Sequence, residues 1–418
     1  MNTKFDKVFA VTSAFSIFLF MQPYFTWHTY PGHQIVIIFK YLNLFIGIVI
    51  CFYLIIVKSP NITESKLFGA IIFFLLISFY YSTGARSQIG SWGVLAQYIF
   101  MLLFIYYNND VVKIKIFEIF RRFFAIILIP AIIVFFLKSF GANLPYEIIY
   151  DYNAGGIRAF LHYPFSFSTL TAHLASIDLP SMRLNGPLDE PGALGTFLAV
   201  LLISTDFDLK DKYNLILFLA GCLTLSTAFF IMIAVYLILT KIPIHKLTVK
   251  RKHAYFFIAA LLILAFILVM LIAKPEYFQK IWDAVFDKFF SDDLRGTAAI
   301  LEQTRMEFGG NIMKYLIGNG YFSGSFGASN SWATLLHDVG IIGIILLVLY
   351  IFLIESNKKV AWNSLTLRMM MLLSVMQRPN IVSIPYVLLF TIGLINLEKQ
   401  NADRNDCREI AAEGVNRY

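Results

Sequence analysis

Charge is scarce in this chain: Asp, Glu, Lys and Arg make up 14% of its 418 residues. Soluble domains carry about 25%, so an ordinary soluble globule is excluded. Cysteine is scarcer still, with three residues. Cys51 and Cys222 fall inside apolar runs and Cys407 in the C-terminal tail, so no external disulfide framework is expected. No HExxH or paired-cysteine spacing is present, and no Asp-x-Asp cluster is assigned to a nucleotide sugar, so no metal site and no cofactor are expected. A P-loop is also missing, which leaves no evident use of ATP.

What fills the chain instead is apolar. It is 58% hydrophobic, with 42 phenylalanines and 22 tyrosines, a composition suited to lipid-facing helices with aromatic ends. Apolar runs recur at 8–21, 35–57, 67–82, 93–107, 122–137, 193–204, 213–225, 228–240, 254–273, 331–354, 365–376 and 381–397. They predict an all-α polytopic membrane protein of about twelve transmembrane helices, with two large external loops containing short helices. The 213–240 stretch has no polar divider, so one tilted helix broken near Ser226-Thr227 is the alternative there. Lys4 and Lys7 precede an apolar run without small residues at a cleavage site, which reads as a retained first helix.

Charge orients the spans. A cytoplasmic N-terminus puts Lys58/Lys66, Lys113/Lys115/Arg121/Arg122, Lys210/Lys212, 241–252 and Lys358/Lys359 inside. The opposite loops at 23–33, 83–92 and 378–380 hold only Arg86 and Arg378. This is the positive-inside bias. It accounts for most of the net charge of +8 without nucleic acid, the bilayer being the partner. The organisation that follows is five spans over 1–137, an external loop at 138–192, four spans over 193–273, a second external loop at 274–330, three spans over 331–397 and a cytoplasmic tail at 398–418.

Both long loops carry chemistry. Arg183-Leu-Asn-Gly-Pro-Leu-Asp-Glu-Pro191 precedes an apolar helix, with Pro191 marking its start. Asp189 and Glu190 then lie near the positive end of that helix. Arg183 is placed to reach a phosphate or to pair with them. A semi-apolar stretch from Ile157 to Ile177, with His162 and His173, reads as lying along the membrane surface. In the second loop, Phe278, Ile281, Trp282, Val285, Phe286 and Phe289 recur at helical spacing, an amphipathic interfacial helix. Arg305 follows, one helical turn from Glu302 and able to pair with it. Beyond Gly318-Asn-Gly320, Asn330 and His337 stand seven residues apart, on one helical face.

The order of these pieces resembles the O-antigen polymerase and ligase superfamily of bacterial envelopes, membrane glycosyltransferases of the GT-C type. The matching motifs are Arg183-x-x-Gly186 with Glu190-Pro191, Leu225-Ser226-Thr227-Ala228, and Gly318-Asn-Gly320 with Asn330-Ser331 and Gly340-x-x-Gly343. Ser329 stands where ligases of the superfamily carry the histidine of a His-Asn pair, and Glu190-Pro191 looks more like a polymerase. The resemblance implies a multi-pass protein of the bacterial inner membrane with both termini cytoplasmic. It implies polymerisation of repeat units, donor and acceptor being oligosaccharides on polyprenyl diphosphate, with a chain-length regulator as a usual partner. Without a metal, Arg183, Arg305 and Arg158 would stabilise the departing diphosphate. Glu190, or second to it His337, would serve as base, with Asp189 and Asn330 nearby. A ligase moving glycan onto lipid A-core or protein is the nearest alternative, and a lipid-linked oligosaccharide flippase or transporter the next.

Overall fold

The computed structural model describes residues 4–21, 110–153, 156–163, 168–172, 183–188, 190–240, 297–320, 332–353, 362–377 and 389–400, with single positions at 45, 49, 71, 72, 75, 166, 386 and 387. Most of these residues are helical. In chain order the elements are α1 (Lys4–Phe20), α2 (Asp110–Ser139), β1 (Glu147–Asn153), β2 (Gly156–Tyr163), β3 (Ser168–Ala172), β4 (Arg183–Gly186), α3 (Pro191–Ile203), α4 (Lys212–Leu223), α5 (Thr227–Thr240), α6 (Thr297–Phe308), α7 (Ile312–Ile317), α8 (Trp332–Leu353) and α9 (Trp362–Gln377). Two of them, α2 and α8, are long and apolar enough to cross a membrane. The runs at 35–57, 67–82, 93–107 and 254–273 lie outside the described residues apart from single positions. So do the amphipathic stretch at 276–290 and the tail beyond residue 400.

The described helices follow the apolar runs, except α6 and α7, which lie in the second long loop. The 213–240 stretch divides into α4 and α5 across Thr224, Leu225 and Ser226, with Leu225 in the left-handed region at φ 48°. Helix α2 differs from expectation by starting at Asp110, so that Lys113, Lys115, Arg121 and Arg122 lie in helix rather than loop. Their charges are met locally. Lys113 Nζ lies 3.2 Å from Asp110 Oδ1, and buried Arg121 pairs with Asp211 Oδ2 at 2.7 Å.

The first long loop corrects the all-α expectation. Instead of short helices it forms a four-stranded antiparallel sheet in the order β1-β2-β3-β4. β1 and β2 pair from Glu147 opposite His162 to Asn153 opposite Gly156. Between β3 and β4, Thr169 pairs with Gly186 and Leu170 with Leu184, which leaves Asn185 as the extra residue of a bulge. The physical reason lies in alternation: Ile157, Ala159, Leu161 and Tyr163 interleave with Arg158, Phe160 and His162. That is period two, which a helix cannot use. His162 is buried at the sheet's start, and burial holds its pKa below the ordinary value despite Glu147 at 3.5 Å.

The core is centred on α3, whose residues are buried on every face apart from half-buried Ala193. A helix apolar all round must be enclosed by others. Aromatic rings enclose it: Phe197 meets Phe120 and Phe124 of α2 at 6.0 and 5.3 Å, and Tyr386 at 5.4 Å. Helix α1 joins through Phe18, whose ring lies 5.2 Å from Phe123 edge to face. At Gly195 a Cβ would come within 2.5 Å of the Ser226 Cβ, so glycine lets α3 and the start of α5 touch.

Candidate functional site

The expected site residues fall into two groups, each built on a broken helix. The first surrounds the turn between α4 and α5. There Arg183, at the start of β4, donates from Nε to the Thr224 carbonyl at 2.9 Å and from Nη2 to the Leu225 carbonyl at 3.1 Å. The left-handed Leu225 ends α4, and helix ends leave carbonyls without intrahelical donors. Arg183 supplies charged donors to two of them. Sequence reasoning places this guanidinium on a phosphate or beside Asp189 and Glu190; its two bonds to backbone oxygens are a further role that the sequence does not announce.

Glu190 occupies the N-cap position of α3, with extended backbone, and Pro191 follows in the first turn as expected. Its side chain makes no capping bond; its carbonyl accepts the Leu194 N–H at 3.1 Å. Asp189 lies outside the described residues. Arg158 sits in β2 opposite Asp151, and its side chain is not among those described.

The second group is built from α6, α7 and the N-terminal end of α8. Helix α8 is broken at Gly340, where φ is 62° and ψ −171°. The break frees carbonyls at the end of its first segment. Asn319 N–H donates to the His337 carbonyl at 2.9 Å and Gly320 N–H to the Asp338 carbonyl at 2.7 Å. The crossing is possible because Gly318 is also left-handed, at φ 72°, and both glycines lack a Cβ. A Cβ at Gly340 would fall 2.5 Å from the Leu316 carbonyl oxygen, and one at Gly318 would overlap the Asp338 carbonyl.

This crossing brings four polar side chains together around His337. The ring Nε2 lies 2.9 Å from Glu307 Oε2, and Nδ1 lies 3.0 Å from Asp338 Oδ1. Asn319 Nδ2 sits 3.1 Å from His337 Nε2 and 3.2 Å from Glu307 Oε2. Gln303 donates to Glu307 Oε1 at 2.7 Å. With each ring nitrogen facing a carboxylate oxygen, the arrangement suits a doubly protonated imidazole that donates to both. Phe308 stacks on the ring at 5.7 Å and Tyr315 stands edge-on to Phe308 at 4.9 Å, closing the cluster on its apolar side. Bonds from His337 and Gln303 hold the Glu307 carboxyl below the usual carboxylate range, against a weaker effect of burial.

Arg305 shares α6 with Glu307 but lies two residues away, so the two side chains do not face each other. It is exposed and forms no ion pair with Glu302 among the described residues. Asn330 lies outside the described residues, and α8 begins at Trp332.

Sequence reasoning notes Glu307 and Asp338 as charges on their helices and Asn319 within Gly-Asn-Gly, but assigns no role to them or to Gln303. The adjacency of His337 and Asp338 and the Gly-Asn-Gly spelling are the signals available. Neither reveals a partner 30 residues upstream.

A third polar cluster lies at the other end of α3. Asp206-Phe-Asp208 spells an Asp-x-Asp pattern, but Asp206 is buried and accepts from Tyr236 at 2.6 Å and Asn363 at 3.1 Å. Asn214 bridges Arg121, Thr205 and the Asp208 carbonyl. Among the described residues no set of three or more His, Cys, Asp or Glu side chains converges to hold a metal ion. Comparison with protein-family models, with curated proteins and with solved structures found no match.

Proposed function

We propose that this chain is a glycosyltransferase of the bacterial inner membrane that polymerises lipid-linked oligosaccharide repeat units, of about twelve spans with both termini cytoplasmic. The observation that carries the reading is the Glu307–His337–Asp338 cluster at the end of an apolar helix long enough to cross a membrane. Ionisable groups gathered at such a position are a functional site by default. The order of motifs along 183–343 supplies the reaction class. In it, an acceptor hydroxyl attacks the anomeric carbon of a polyprenyl-diphosphate-linked glycan, and charge develops on the departing diphosphate. Arg305, exposed on α6, is the first arginine assigned to that charge, and Arg158 the next. Arg183 holds the α4–α5 turn.

Deleting the gene in its host and resolving the surface polysaccharide on a gel, beside a complemented strain, tests the reading. A polymerase predicts loss of the ladder with a single repeat unit still attached to the core. Long chains stranded on the lipid carrier would instead mean a ligase, and single lipid-linked units trapped inside would mean a flippase.

A further inference from the structure

The geometry points to Glu307 as the catalytic base of this reaction, with His337 and Asp338 as positioning residues behind it; the assignment rests on the transferase reading above. Exposure decides between the three ionisable groups. The Glu307 side chain is 40% exposed, while those of His337 and Asp338 are 2% and 6%. A sugar hydroxyl approaching from solvent therefore meets the carboxylate, and the imidazole lies sealed beneath it. His337 also has both nitrogens engaged by carboxylates, which leaves neither to face a substrate.

The carboxylate is held from three sides. Oε1 takes the Gln303 amide, and Oε2 lies against His337 Nε2 and Asn319 Nδ2. A carboxylate has about four lone-pair sites, so one direction is left for an incoming hydroxyl. Asp338 fixes the ring from behind, and the backbone bonds from 319 and 320 to 337 and 338 lock α8 to the loop that carries Asn319. Each part places Glu307 Oε2 within narrow limits, which is what proton abstraction needs.

The step balances without a further reactant. The acceptor O–H bond breaks and its proton passes to Glu307. The oxygen's electron pair forms the new bond to the donor's anomeric carbon. The bond from that carbon to the phosphate oxygen breaks, its pair leaving with the lipid diphosphate. Glu307 then returns the proton to water.

The test uses membranes of the deletion strain carrying wild-type or variant protein, supplied with lipid-linked repeat units extracted from the same strain. Glu307→Ala is expected to slow polymer formation by about a hundred- to ten-thousand-fold, with formate restoring at least about tenfold. Glu307→Gln, which keeps the side chain's size but replaces one accepting oxygen with a donor NH2, should be as slow, with no response to formate and a cooperative unfolding transition in detergent that shows it folded. A folded Glu307→Gln protein within about threefold of the wild-type rate would overturn the assignment. So would a folded but slow Glu307→Ala protein that formate leaves unchanged. Wild-type membranes that make no polymer from these units would remove the transferase reading itself, and the role of Glu307 with it.

Discussion

Arg183 illustrates how one side chain of a motif can serve the fold itself. Its guanidinium spans two consecutive carbonyls at the end of α4, a fork that lysine cannot reproduce with one ammonium. Hydrogen bonds to charged groups contribute about 1.5–3 kcal/mol each. We therefore expect Arg183→Lys and Arg183→Ala alike to lower the unfolding temperature of the detergent-solubilised protein, with polymer formation falling in parallel. Normal stability with lost activity would return Arg183 to the diphosphate. The two variants differ in charge yet share the loss of the fork, so equal destabilisation of both is the diagnostic result.

At the scale of elements, the turn between α3 and α4 is fastened to the first half of α2 by Arg121 and Asp211. Burial alone would raise the pKa of Asp211. The bonds from Arg121 and from the Tyr213 and Asn214 backbone outweigh it and hold the carboxyl below its ordinary value. A depressed carboxylate pKa means the ion pair stabilises the fold above the unfolded pKa, about 4, and is lost as pH falls through the lower folded value. Unfolding temperatures measured from pH 7 down to pH 3 should fall more steeply for the wild type than for Asp211→Asn. Parallel curves would show that the pair contributes nothing.

Helices like these were legible because they follow apolar runs: α3, α4, α5, α8 and α9 each begin and end within a few residues of 193–204, 213–225, 228–240, 331–354 and 365–376. The sheet was legible only in retrospect, since its alternation is short, blurred by Phe160 on the polar side and ended by Pro164. For the site, local spelling marked Pro191 as a helix start and His337 as a polar position at a helix mouth. It could not reveal that Arg183 bonds across 41 residues or that Glu307 meets His337 across 30. Tertiary crossing, set by two left-handed glycines, makes that second contact.

For the whole molecule, charge bias predicts that the sheet and the α3–α4 turn lie on opposite sides of the membrane. With native cysteines replaced, Tyr146→Cys should react with an impermeant maleimide in intact spheroplasts, and Lys210→Cys only after permeabilisation. Both residues sit outside the helices and are at least partly exposed. Labelling in the reverse order would invert the orientation and put the Glu307 cluster on the cytoplasmic side, where no lipid-linked acceptor is presented after export.

The pairing of Arg183 with the α4–α5 turn also bears on how the chain is made. Synthesis runs from the N-terminus, so β4 leaves the ribosome before Thr224 and Leu225 exist. The donors that satisfy those carbonyls thus precede them along the chain, and the turn need never enter an apolar environment with its backbone oxygens bare. Moving the 183–186 segment to the C-terminus by circular permutation would reverse that sequence of events while keeping every final contact. Biogenesis, rather than the finished fold, is where such a rearrangement would fail.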